Sequence, residues 1–174
     1  MRLKAWRFVT IVLSALTMGM AFCHALELPA KMQYSAELYI TVQNTLYVAF
    51  GPPLIGAWIE IASPLAVIAL AILVRNRRSA FHLTLVAIGF ILLAFPVIFF
   101  AYTEPANTVF RAATPESIPA NWEQLRNQWE YSHLARFFCH LAAFSTLLLS
   151  VLVETPASSR QAQAAPSQPT YQIK

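Results

Sequence analysis

The sequence predicts an all-α integral membrane four-helix bundle with both termini in the cytoplasm. Three observations carry this. Of the 174 residues, 57% are hydrophobic and 11% are charged, and the mean hydropathy is +0.53. Soluble domains run nearer 45–50% apolar and about 25% charged, so these few charges cannot cover a soluble surface. A charged disordered chain is excluded, and the composition argues strongly against a soluble globular enzyme. Second, four apolar stretches approach the roughly 20 residues a helix needs to cross a bilayer. None shows the period-2 alternation of a barrel strand, which leaves helices to satisfy their own backbone in lipid. Third, eight of the twelve basic residues fall on one side of such a bundle.

The first span covers residues 6–25, preceded by Arg2, Lys4 and Arg7. Residues 1–25 also fit a signal peptide, with a basic start, an apolar run and small residues near Ala21 and Ala25. Cleavage there would leave three spans. The length of the apolar run and the polar residues just beyond it favour a retained span. Residues 33–50 mix Tyr, Leu and Val with Glu37, Gln43 and Asn44, the pattern of an interfacial helix or an extension of the next span, broken at Gly51-Pro52-Pro53. The second span covers residues 53–74 and contains Glu60 and Pro64. Arg75, Arg77 and Arg78 fill the connector to the third span, residues 81–102, which contains Pro96. The prolines are expected to kink their helices and open a cavity. Residues 103–121 hold three prolines and read as an ordered loop. A helix capped by Asn121 starts at Trp122 and runs into the fourth span, residues 133–153. Residues 1–153 thus form the membrane domain, and 154–174 a polar disordered cytoplasmic tail.

Charge placement orients the bundle. The N-terminal cluster, the 75–78 connector and the tail residues Arg160 and Lys174 share a side, opposite Lys31, Arg111 and Arg126. The positive-inside rule puts that side in the cytoplasm, in a cell membrane or the inner membrane of a Gram-negative cell. The net charge of +4 is then a topology signal. No basic patch with groove-reading residues exists to bind nucleic acid.

Ionisable groups at membrane depth are costly and mark functional sites by default. His24 and Glu27 share one face at the outer end of span one. Glu130 and His133 have the same spacing at the start of span four, on a stripe with Arg126, Arg136 and His140. Trp129 precedes His133 by one turn. Glu60 lies in the outer part of span two, and Glu104 and Asn107 follow span three. Together they predict a polar pocket opening outward. Structural roles compete with this: Arg136 can neutralise Glu60 or Glu130, and His24 can bond a carbonyl. A di-iron-like set from His24, Glu27, Glu60, Glu130 and His133 is a weaker alternative, because span one reverses the Glu-x-x-His order and arginines crowd the site. A His beside a carboxylate is a good base. His133 oriented by Glu130, with Arg136 holding an anion, suits proton abstraction from a planar lipophilic substrate. A non-catalytic accessory subunit or small permease remains the alternative of another class. Cys23 and Cys139 read as small apolar residues more readily than as a disulfide.

A short first span ending in a polar residue, Asn107 after span three, and Trp129-x3-His133-x2-Arg136 entering span four resemble the small four-helix membrane proteins that include the anthrone oxygenases. Many bacterial members of that family carry only a domain-of-unknown-function label. HALELPAK and NTVFRAATPESIPANWEQLRNQWEYSHLAR look like one bacterial branch, and the resemblance covers about residues 5–153. It implies oxygenation of an activated aromatic methylene to a carbonyl without a dedicated flavin or haem, and together with the pocket it points to a lipophilic aromatic or quinone-type substrate. By the family's pattern Asn107, Trp129, His133 and Arg136 would be site residues, and the pocket read from depth and spacing adds His24, Glu27 and Glu60 beside the substrate. Phe110 stands where many members carry a second Asn.

Overall fold

The computed structural model describes residues 2–51 and 53–155. The tail expected from 154 onward, with Arg160 and Lys174, otherwise lies outside the described residues. Six α-helices follow in order: α1 (Arg2–Lys31), α2 (Ala36–Thr45), α3 (Ile55–Val74), α4 (Arg78–Leu92), α5 (Glu104–Ala112) and α6 (Trp122–Leu152). A 3-10 turn, Tyr47–Phe50, precedes α3, and a wide-turned segment, Leu93–Thr103, joins α4 to α5. Four stretches, Arg2–Lys31, Tyr47–Val74, Arg78–Ala112 and Trp122–Leu152, are long and apolar enough to cross a membrane.

The helices pack in a ring, α1 against α3 and α6, and α4 against α3 and α6. The packing is inside-out relative to a soluble bundle. α1 buries Thr10, Ser14, Thr17, Ala21 and His24, while Phe8, Leu16, Phe22 and Leu26 face outward. α4 buries Ala80, Thr84 and Ala87 at the same alternating spacing. Lipid tails are as apolar as Leu, so close approach of small residues holds membrane helices together. At one end Arg7 Nη2 meets Glu154 Oε2 at 2.5 Å and Arg77 Nη1 reaches the same oxygen at 3.1 Å. The start of α1, the α3–α4 connector and the end of α6 therefore meet at this basic end. Its core is Val67, Leu70, Val74, Ala80, Ala87, Ile91, Ala143 and Leu147.

The opposite end departs from the sequence reading in three places. α1 continues past residue 25 to Lys31, with Pro29 inside its last turns. At about 1.5 Å per residue, its 30 residues extend about 45 Å, beyond the ~30 Å hydrocarbon core. Glu104–Ala112 is a helix instead of loop, because Pro105 falls in its first turn, where a missing N–H costs nothing. Asn121 precedes α6 as expected but makes no side-chain cap bond. The two mid-span prolines also differ. Pro64 sits within an unbroken α3. At Pro96 the preceding Phe95 is extended (φ −144°, ψ 112°), the Phe95–Pro96 peptide is cis, and the proline has no N–H to give to the helix ladder. The break redirects the chain onto α6 and α5.

Candidate functional site

A cavity of about 480 Å³ lies at the end opposite the basic cluster, inside the roughly 300–1,000 Å³ range of small-molecule pockets. Its floor is polar: His24, Glu60, His133 and Arg136. Its walls are apolar, with Met20, Phe50, Ile61, Phe95, Phe99 and Phe100 among them. α2, the 3-10 turn and α5 roof it. Asn44 Nδ2 donates to the carbonyls of Phe110 and Ala113, at 2.9 and 3.0 Å, and ties α2 to α5. Thr103 Oγ1 and Ser132 Oγ, 2.8 Å apart, fix the start of α5 to α6.

His133 is the most defined group. Its Nδ1 lies 3.0 Å from the Trp129 carbonyl oxygen, which accepts only, so Nδ1 carries the proton. Nε2 is then the lone-pair nitrogen, and it faces Arg136 Nη1 at 3.5 Å. The Trp129 ring overlaps the imidazole, centroids 3.9 Å apart, and its Nε1 donates to Asn107 Oδ1 at 2.6 Å. Asn107 Nδ2 donates to Glu104 Oε2 at 3.1 Å, and Arg111 Nη2 holds Glu104 Oε1 at 2.5 Å. Arg136 is buried and pairs through Nη2 with Glu60 Oε1. Its Nε has no hydrogen-bond partner among the described residues, and the guanidinium sits 5.0 Å from the Phe99 ring centre. His24 stands edge-on to His133, centroids 4.4 Å apart, with its Nδ1 3.6 Å from Glu27 Oε2.

Six of the eight residues given site roles in sequence, His24, Glu60, Asn107, Trp129, His133 and Arg136, line this one cavity, with Glu104 beside them. Glu27 and Glu130 do not. The expected pairing of Glu130 with His133 is replaced. Glu130 is fully buried and turned to Lys31 Nζ at 2.9 Å, and it accepts from Tyr39 Oη at 3.0 Å. The reason is the extra length of α1, which carries Lys31 inward to only 1% exposure. Backbone, not carboxylate, orients the imidazole. Glu27 accepts from Tyr47 Oη and, at 3.4 Å, from Cys23 Sγ. Burial pushes the Tyr39 phenol well above its ordinary range, and the Glu130 charge adds to this.

Lys31, Tyr39, Tyr47 and Phe99 were not singled out in sequence. Lys31 had a signal, because it continues the His24–Glu27 face at i+4 from Glu27. Tyr39 and Gln43 also share a face, and Gln43 Nε2 donates to Tyr39 Oη at 2.9 Å. Both cysteines are free. Among the described residues, no three His, Cys, Asp or Glu side chains converge as metal ligands. Glu60 and Glu130 each face a cation instead, so the five-residue metal set is not assembled. Of the stripe on α6, Arg126 stacks on Trp122 at 4.8 Å and His140 is buried below the floor. Comparison of the chain with family models, curated proteins and solved structures finds no match in any of the three.

Proposed function

We propose that the cavity binds a planar lipophilic aromatic or quinone-type molecule and that His133 abstracts a proton from it. The observation that carries this is the fixed tautomer of His133. A carbonyl holds Nδ1–H, so the lone pair on Nε2 is the proton acceptor, 3.5 Å from the buried Arg136 guanidinium, in a mostly apolar cavity. A proton acceptor and an anion holder within one site are the two groups such a step needs. Glu60 balances the Arg136 charge, and the unpartnered Nε–H is a donor for a developing oxyanion. His24, with Glu27 at its far side, offers the next acceptor as the proton leaves.

The resemblance to anthrone oxygenases gives this chemistry a concrete form. Nε2 takes a proton from the activated methylene, and the electron pair moves onto the ring carbonyl oxygen, held by Arg136. The carbanion adds dioxygen, and loss of water leaves a second carbonyl. The balance is methylene plus O₂ to carbonyl plus water, with no further oxidant. The one-sided placement of basic residues supports cytoplasmic termini in a cell membrane, with the cavity opening on the outer side.

The test is oxygen uptake and anthraquinone absorbance when purified protein meets anthrone. His133→Asn keeps a donor for the Trp129 carbonyl and removes Nε2. It is expected to bind anthrone and lose turnover to background. Full turnover by this variant sinks the assignment. A second reading, a non-catalytic accessory subunit, is favoured by the closed Arg136–Glu60 and Lys31–Glu130 pairs. Binding without turnover in the wild-type protein selects it.

A further inference from the structure

The cavity has an unsealed side wall. At the basic end α3 and α4 pack closely through Val67, Leu70, Ala87 and Ile91. Beyond Phe95 the chain leans onto α6 and α5, while α3 packs on α1 and the 3-10 turn. The walls left facing each other are Ala57 and Ile61 on one side and Phe95, Phe99 and Phe100 on the other. Ile61 and Phe100 line the cavity yet are 43% and 58% exposed. Around them Trp58, Leu65 and Val97 are exposed and apolar. The charged group in this wall, Glu60, is turned to Arg136. Ile61 lies six residues into α3, about 9 Å along the helix from its first residue. The gap therefore opens at hydrocarbon depth. The roof, by contrast, is stitched by Asn44 to Phe110 and Ala113 and by Trp129 to Asn107.

Resting on the proposed role of the pocket, we propose that the ligand is a membrane amphiphile: a planar aromatic or quinone head on an alkyl or isoprenoid tail. The head enters sideways between α3 and the Leu93–Thr103 segment and stops against His133 and Arg136. The tail stays in the gap and runs out among the acyl chains. A tailed molecule already resides at this depth, whereas a water-borne one must part the tied roof.

The experiment uses the full chain in nanodiscs and two probes, a decyl-substituted benzoquinone and its methyl-substituted analogue. Tryptophan quenching reports their association. Ala57→Trp and Ile61→Trp each fill the gap from α3, and Asn44→Ala loosens the roof. Association of the decyl probe is expected to slow about tenfold in both tryptophan variants and to stay unchanged in Asn44→Ala. A decyl probe indifferent to both tryptophan variants overturns the lateral route and leaves the pocket's proposed role standing. So does binding of the methyl probe alone, or faster association of the decyl probe in Asn44→Ala. Binding of neither probe to the wild-type protein overturns the pocket's role and this inference with it.

Discussion

Lys31 Nζ and Glu130 Oε2 lie 2.9 Å apart, joining the last turn of α1 to the site half of α6 with at most 1% of either side chain exposed. The ammonium also lies over the rings of Trp129 and Tyr47, at 4.5 and 5.0 Å. Removing one member of a buried pair leaves a charge without a partner, at about 3–5 kcal/mol. Lys31→Met is therefore expected to lower stability by about that much. Adding Glu130→Gln should restore a large part, because the neutral amide still accepts from Tyr39. Thermal unfolding in detergent measures both. A single variant as stable as wild type contradicts the pairing.

The same pair shows what the sequence does and does not disclose. Scarce charge and four long apolar runs predict four spans, and four helical stretches of that length and character are present. Equal depth of polar residues predicts a shared pocket, and it gathers six of the eight given site roles, with Glu104. Partner choice is not legible, because it depends on where α1 stops. Hydropathy falls at Glu27 and Pro29, so Lys31 reads as loop, yet the helix continues and delivers it to Glu130. Likewise the prolines of residues 103–121 read as loop, although Pro105 is placed where a helix tolerates it. Local pattern fixes depth and face, and tertiary contact decides which carboxylate meets which cation.

Gly56 is buried at the start of α3 against the carbonyl oxygen of Phe50, and a Cβ there would collide with that backbone. The contact seats the 3-10 turn that carries Tyr47 and Phe50 over His24. Gly56→Ala must push the turn outward. We expect a loss of about 1–3 kcal/mol, the usual cost of overpacking, and weaker quinone binding because the roof shifts. Gly89 is the control, because an added methyl there would meet nothing within 4 Å. Gly89→Ala should be neutral or slightly stabilising in a helix. Equal melting temperatures for the Gly56→Ala and Gly89→Ala proteins would contradict the close approach.

Tyr39 makes stability depend on alkaline pH. Its phenol is fully buried and donates to Glu130, and burial raises its pKa. The unfolded phenol titrates near pH ~10. Because the folded value is higher, the stability from Tyr39 is fully present below that pH. It is lost as pH rises above it, when only the unfolded chain ionises. Unfolding midpoints between pH ~8 and ~11.5, which bracket the unfolded value, should fall more steeply for wild type than for Tyr39→Phe. Parallel curves for the two proteins exclude this role.

Arg136 and Glu60 oppose stability to ligand affinity. Glu60 neutralises the guanidinium that would hold a substrate oxyanion, and both belong to the cavity floor. Glu60→Gln leaves the buried cation with a neutral partner, so the free protein should lose stability, on the order of 3 kcal/mol. The released positive charge should tighten binding of an acidic planar phenol, by about tenfold for each ~1.4 kcal/mol gained. Arg136→Gln removes the anion holder and leaves Glu60 unpaired, so it should weaken stability and phenol binding together. Calorimetric titration with one phenol across the three proteins, beside their melting curves, separates the two effects. Tighter binding with lower melting in Glu60→Gln alone is the expected signature. If Glu60→Gln weakened phenol binding as much as Arg136→Gln, Glu60 would be a ligand contact instead of the counter-charge of Arg136.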